Sequence, residues 1–180
     1  TFRSTDGVEL KGWWVGAPGA KGTVVMVHGL NRSRIEMLRR APFVHRAGWN
    51  ALLFDLRHHG ESGGKATTFG AHEREDVKAA VRLARERSPG PVVAWGVSLG
   101  GASVVFAAAE DADVAGVICD SSFRSLDDTV RHHVQLFRGF RWWMRLVPAW
   151  PVADLAVFWM GRRGGFDPAA ADVRAAAARL

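Results

Sequence analysis

Four runs of the chain are apolar almost without interruption: Thr23-Val24-Val25-Met26-Val27, Ala51-Leu52-Leu53-Phe54, Val92-Val93-Ala94-Trp95 and Val114-Ala115-Gly116-Val117-Ile118. A strand of this kind has no polar face, so its place is inside a parallel sheet covered by helices on both sides. Between the runs, residues 34–47, 73–87 and 99–109 carry apolar positions at helical spacing and favour good helix formers. The alternation predicts an α/β fold, a doubly wound and mostly parallel sheet with helices on both faces. Ahead of it, residues 2–5 and 8–15 flank the turn Asp6-Gly7 and alternate loosely, which predicts an antiparallel hairpin at one edge of the sheet.

After Ile118 the rhythm breaks. Residues 123–165 are dense in Trp, Phe and Arg and follow a strand end, where a helical insertion can fold over the carboxyl ends of the strands as a cap. An amphipathic helical pair packed on the core fits the same residues equally well. Residues 166–180 are rich in Ala and open with Asp167-Pro168, which predicts a helix with Asp167 as its N-cap and Pro168 at its first position. No strand-like run follows, so further carboxyl-terminal strands are expected to be missing and the run 114–119 to form an open sheet edge.

Composition narrows the picture without redirecting it. With 180 residues, 48% of them hydrophobic and 23% charged, the chain reads as one globular domain spanning 1–180. Its net charge of +6 comes from arginines spread along the sequence rather than gathered on one basic helix, so no nucleic-acid partner is expected. The single cysteine, Cys119, lies in an apolar run, cannot form an internal disulfide and is expected to be a small buried hydrophobe. Together with the lack of a secretory signal, that points to a cytoplasmic location, although a chain beginning at Thr1 is expected to have lost an upstream segment. The most apolar stretch, residues 142–160, is interrupted by Arg145, Pro148, Pro151 and Asp154 and does not read as a membrane span, while association with a membrane surface stays open. No spacing resembles a zinc motif, so neither a metal nor a cofactor is expected.

Chemistry concentrates at Gly96-Val97-Ser98-Leu99-Gly100, which joins the third apolar run to a helical one. This is the setting of a nucleophile elbow, where a serine on a tight strand-to-helix turn needs small neighbours two residues away on either side. Ser98 is therefore the candidate nucleophile, at the positive end of the following helix. A plain helix-capping serine is the structural alternative. An oxyanion needs two converging donors: the backbone N–H of Leu99 is one, and His28-Gly29-Leu30-Asn31, directly after the first apolar run, offers the N–H of Leu30 or, as second choice, of Asn31. Asn31, Trp142 and Trp143 are candidate substrate contacts, and His28 is read as a residue that fixes its loop rather than as a base.

The strand ending in His28-Gly29, the strand ending in Phe54-Asp55-Leu56-Arg57 with Gly60 and Ser62 following, and the Ser98 elbow together resemble the alpha/beta hydrolase superfamily over nearly the whole chain. The order of segments and the Trp-rich stretch after Asp120-Ser121-Ser122-Phe123 are similar, more narrowly, to its prolyl-oligopeptidase-like and acyl-aminopeptidase-like branch. In that branch a glycine usually follows the arginine of the second motif; here His58 stands there. The resemblance implies a serine hydrolase that cleaves an ester, thioester or amide with an apolar acyl group through an acyl-enzyme.

It also implies an acid and a histidine after Ser98. Only His132 and His133 follow, both inside residues 123–165. Two accounts are open. In one, the 180 residues are part of a longer hydrolase whose acid and base lie beyond Leu180. In the other, His132 or His133 folds back over Ser98, oriented by Asp120, Asp127 or Asp128, as a compact triad. A third possibility, from a different class, is a non-catalytic binding module on the same fold.

Overall fold

The computed structural model describes residues 1–110, 113–140 and 149–180. The chain begins with β1 (Phe2–Arg3) and β2 (Glu9–Leu10), which pair antiparallel as a separate two-stranded sheet. The predicted edge hairpin is thus divided: at Lys11 the backbone N–H goes to Ser62 Oγ (2.9 Å), and the chain passes into the main sheet as β3 (Gly12–Val15). That sheet continues with β4 (Thr23–Val27), β5 (Asn50–Phe54), β6 (Val92–Val97) and β7 (Gly116–Asp120), in the order β3-β5-β4-β6-β7. All neighbours are parallel except β3, which runs antiparallel to β5.

The reason the strands are apolar throughout is visible in their alternation. Val25, Val27, Leu52, Phe54, Val92 and Ala94 face one core, shared with α2 (Glu73–Arg87) and α3 (Leu99–Ala108). Val24, Met26, Ala51 and Leu53 face a second core, closed by a 3-10 turn (Arg34–Arg39) and α1 (Ala41–Arg46). Every second residue therefore serves a different layer. The predicted helix over 34–47 is broken because Pro42 has no N–H to continue a ladder from the turn before it.

Beyond β7 come α4 (Leu126–Phe140) and α5 (Ala149–Gly164), the helical insertion that interrupts the βα rhythm. The predicted carboxyl-terminal helix is divided as well. Asp167 caps a 3-10 turn (Pro168–Ala170) through Ala169 N–H (2.9 Å), and Asp172 starts α6 (Val173–Ala177) by accepting from Ala175 N–H (2.9 Å). A second aspartate cap within a few residues restarts the helix instead of extending it. Cys119 is exposed, contrary to the sequence reading, because it lies on β7, the outermost strand among those described.

From β4 the chain moves to β5 on one side, then crosses to β6 on the other. The carboxyl ends of β4 and β6 consequently flank a topological switch point, where open α/β sheets form their crevice.

Candidate active site

Ser98 sits alone between β6 and α3, with φ 51° and ψ −111°, a backbone conformation few L-residues adopt. The turn is held by crowding. A Cβ on Gly96 would lie 2.1 Å from the carbonyl oxygen of Gly100, and a Cβ on Gly100 would lie 2.4 Å from that of Val27. Both positions face backbone, which cannot swing aside, so only glycine fits. Ser98 gives its N–H to the carbonyl of Asp120 on β7 (2.8 Å) and accepts at its own carbonyl from Ala102 (3.0 Å). Its half-buried side chain caps nothing, and Oγ has no hydrogen-bond partner among the described residues.

The loop after β4 lies against this turn: the position a Cβ on Gly29 would take is 3.5 Å from Ser98 Cβ. Two buried histidines and one carboxylate fix it. Leu56 donates its N–H to His28 Nε2 (3.0 Å), so the His28 proton is on Nδ1, which donates to the Gly29 carbonyl (2.7 Å). Burial pushes the His28 pKa below the ordinary histidine value, keeping the ring neutral in this role. His59 is also held at both ring nitrogens, donating from Nδ1 to the Arg57 carbonyl (2.8 Å) and accepting the Asn31 N–H at Nε2 (3.2 Å). The two rings meet edge to face at 5.2 Å. Glu36 Oε2 accepts the Gly29 N–H at 2.8 Å. Asp55, at the end of β5, is consumed by Arg34: it accepts the Arg34 N–H (2.7 Å), the Glu61 N–H (2.9 Å) and the Arg34 guanidinium.

These bonds sort the sequence candidates. Gly29 N–H is occupied by Glu36 and Asn31 N–H by His59, which removes Asn31 as an alternative donor. The N–H groups of Leu30 and Leu99 have no protein acceptor among the described residues. His28 fixes its loop, as its position at a strand end implied. Trp142 and Trp143 lie outside the described residues. His132 and His133 are exposed on α4, neither hydrogen-bonds Ser98, and His133 Nδ1 lies 2.8 Å from the carbonyl of Thr129 on its own helix. Asp127 pairs with Arg131 (2.7 Å) and Asp128 with Arg124 (3.5 Å), while Asp120 accepts from Arg40 (3.0 Å) and Ser121 (2.8 Å). The compact triad is therefore not assembled.

His59 and Glu36 escaped the sequence reading. His59 lacked any strand-end position to mark it, and Glu36 looked like an ordinary helix charge. No group of three or more His, Cys, Asp or Glu is arranged to hold a metal among the described residues.

The helical insertion is built differently. Leu126 is buried, and Arg131 ties α4 to α5 by bonding both Asp127 (2.7 Å) and Asp154 (2.6 Å). Phe137, Phe140, Trp150, Leu155, Phe158 and Trp159 remain more than half exposed, from 51% to 80%. The far end of α5 leads back to the sheet side, where His72 Nε2 lies 3.3 Å from the Gly165 carbonyl. No helix among the described residues is long and apolar enough to cross a membrane.

The chain is similar to several known proteins. The chain is 31% identical over 167 residues to the uncharacterised protein YqkD of Bacillus subtilis, covering 91% of this chain and 52% of that one. It is 37% identical over 108 residues to the quorum-quenching protein AidA of Acinetobacter baumannii, covering 56% of this chain and 35% of AidA. Among solved structures, an esterase of Pyrococcus furiosus superposes with a TM-score of 0.68 at 32% identity, over 79% of this chain and 56% of the esterase. The chain spans about half the length of the curated relatives it matches, or less. The family model for serine aminopeptidase, S33, matches residues 18–171, and the chain belongs to that family of alpha/beta hydrolases.

Proposed function

We propose that Ser98 is the nucleophile of a serine hydrolase that cleaves an ester, thioester or amide through an acyl-enzyme. The observation that carries the reading is the conformation of Ser98, at positive φ in a tight turn that Gly96 and Gly100 make room for, which leaves Oγ unbonded at the start of a ten-residue helix. In the proposed step, Oγ attacks the substrate carbonyl while its proton passes to a general base. The carbonyl oxygen, now an oxyanion, is held by the N–H groups of Leu30 and Leu99. The collapsing intermediate expels the leaving group, which takes up the proton, and water then releases the acyl group by the same route.

Two features support the donor assignment: both N–H groups lack a protein acceptor, and Glu36 and the two histidines hold the Leu30 loop rigidly beside the serine. No described histidine hydrogen-bonds Ser98, so the proposal assigns the base to sequence outside the 180 residues, in keeping with a relative of which this chain covers 52%. The exposed aromatic side chains of α4 and α5 suit an apolar acyl group, and one similar solved structure is an esterase. The family's serine aminopeptidase description keeps amides within range and is compatible with the acyl-aminopeptidase-like branch.

Turnover of a short chromogenic ester by the product of the complete coding sequence, beside its Ser98→Ala variant, tests the reading. At least a 1000-fold loss is expected, on the order seen when triad members are removed. Equal turnover by both proteins removes Ser98 from the mechanism.

A further inference from the structure

We infer that the arginine-lined cleft beside Ser98 is a subsite for an anionic group of the substrate, a carboxylate or phosphate set a few bonds from the scissile carbonyl. The inference rests on the serine hydrolase reading and adds the substrate class to it.

The cleft has a volume of about 710 Å³ and is lined by Asn31, Arg32, Glu36, Arg39 and Arg40 among others. Two of its lining residues connect it to Ser98. Glu36 and Ser98 each come within 3.5 Å of where a Cβ on Gly29 would be. On the other wall, Arg40 bonds the Asp120 carboxylate (3.0 Å), and the carbonyl of the same Asp120 takes the Ser98 N–H (2.8 Å).

The charges in this cleft do not cancel. Arg40 is matched by Asp120 and lies 5.7 Å from the Trp95 ring. In a 3-10 turn residues three apart are eclipsed, so Glu36 is the natural partner of Arg39. Yet Glu36 spends Oε2 on the Gly29 N–H, and its other oxygen is 3.9 Å from Arg32. Arg39 is left without a hydrogen bond or ion pair among the described residues, one 3-10 turn, about 6 Å, beyond Glu36. A guanidinium fork without a partner on the wall of this cleft is suited to a planar or tetrahedral anion, and Arg32, which lines the same cleft, can close on it.

The test compares 4-nitrophenyl hydrogen adipate with 4-nitrophenyl hexanoate, which differ only in the terminal carboxylate, using the product of the complete coding sequence. In Arg39→Glu the ratio of the two kcat/KM values is expected to fall about tenfold against adipate, whereas Arg46→Glu, the same charge change at the far end of α1, shifts it less than twofold. An unchanged ratio in Arg39→Glu, or an equal shift in Arg46→Glu, overturns the subsite. Turnover unaffected by Ser98→Ala strikes the underlying reading instead. The cleft is then read without chemistry, by NMR titration of Ser98→Ala with adipic acid monoamide. Binding at least several-fold tighter than hexanamide, lost in Ser98→Ala/Arg39→Glu, supports it; no difference refutes it.

Discussion

The crevice around Ser98 and the helical pair α4–α5 are assembled by opposite means. In the crevice, backbone groups are fixed by buried side chains: His28, His59 and Asp55 each make at least two hydrogen bonds and are nearly inaccessible to water. In the pair, ion pairs such as Arg131 with Asp127 and Asp154 are half exposed, and large aromatic side chains face outward. Buried, fully satisfied polar contacts define one geometry, while exposed pairs contribute little and leave the element adaptable. Under the proposed function, that contrast puts the chemistry in the rigid crevice and leaves the insertion free to adjust to what it contacts.

The sharpest way to break the comparison is Gly100→Ala. Its Cβ would meet the carbonyls of Val27 and His28 at 2.4 and 2.6 Å, both backbone. A loss of about 3 kcal/mol or more is expected in denaturant unfolding, because neither β4 nor α3 can yield without shifting the layer it belongs to. Next in size, His28→Ala strands the Leu56 N–H and the Gly29 carbonyl and opens a cavity, for a loss of about 2–4 kcal/mol. In contrast, Phe140→Ser and Trp150→Ser in the insertion are expected to change stability by less than about 0.5 kcal/mol, since both side chains are already in solvent. A large loss in either would mean that the insertion is as tightly packed as the crevice.

Smaller effects sharpen the same contrast through pH. With its pKa pushed below the usual 6.5 by burial, His28 binds no proton in the folded state where the unfolded chain does. Its contribution to stability is complete above pH 6.5 and declines as pH falls, and NMR titration should show a neutral, Nδ1-protonated ring through that range. A ring that protonates at or above pH 6.5 would contradict the pinned geometry. At the edge of the fold, Arg57 bonds Asp6 at 2.7 and 2.9 Å and holds its carboxyl at a pKa of about 2. That contribution is present above about pH 4 and lost toward pH 2, so Asp6→Asn should flatten the acid limb of thermal unfolding over that window.

The layered fold was legible because the central strands β4, β5 and β6 are apolar at nearly every position, the pattern of a sheet covered on both faces. The elbow was legible for a similar reason, since Gly96 and Gly100 mark places where backbone meets backbone. What the sequence concealed depends on contacts between distant segments. Glu36 reaches Gly29 and His59 reaches Asn31 across loops with no shared periodicity. Cys119 is apolar in its run yet exposed, because strand order, not local pattern, decides which strand lies at an edge. The departure at His58 has a physical counterpart: it adopts φ 60° where a glycine would be unstrained, with its N–H bonded to the Gly63 carbonyl (2.6 Å).

The central claim is that the strained turn presents Ser98 as a nucleophile. Reaction of the product of the complete coding sequence with a fluorophosphonate, followed by mass spectrometry of its peptides, tests it most directly. One covalent adduct on the peptide containing Ser98, absent in Ser98→Ala, is the predicted result; an adduct on another serine, or none, would contradict it.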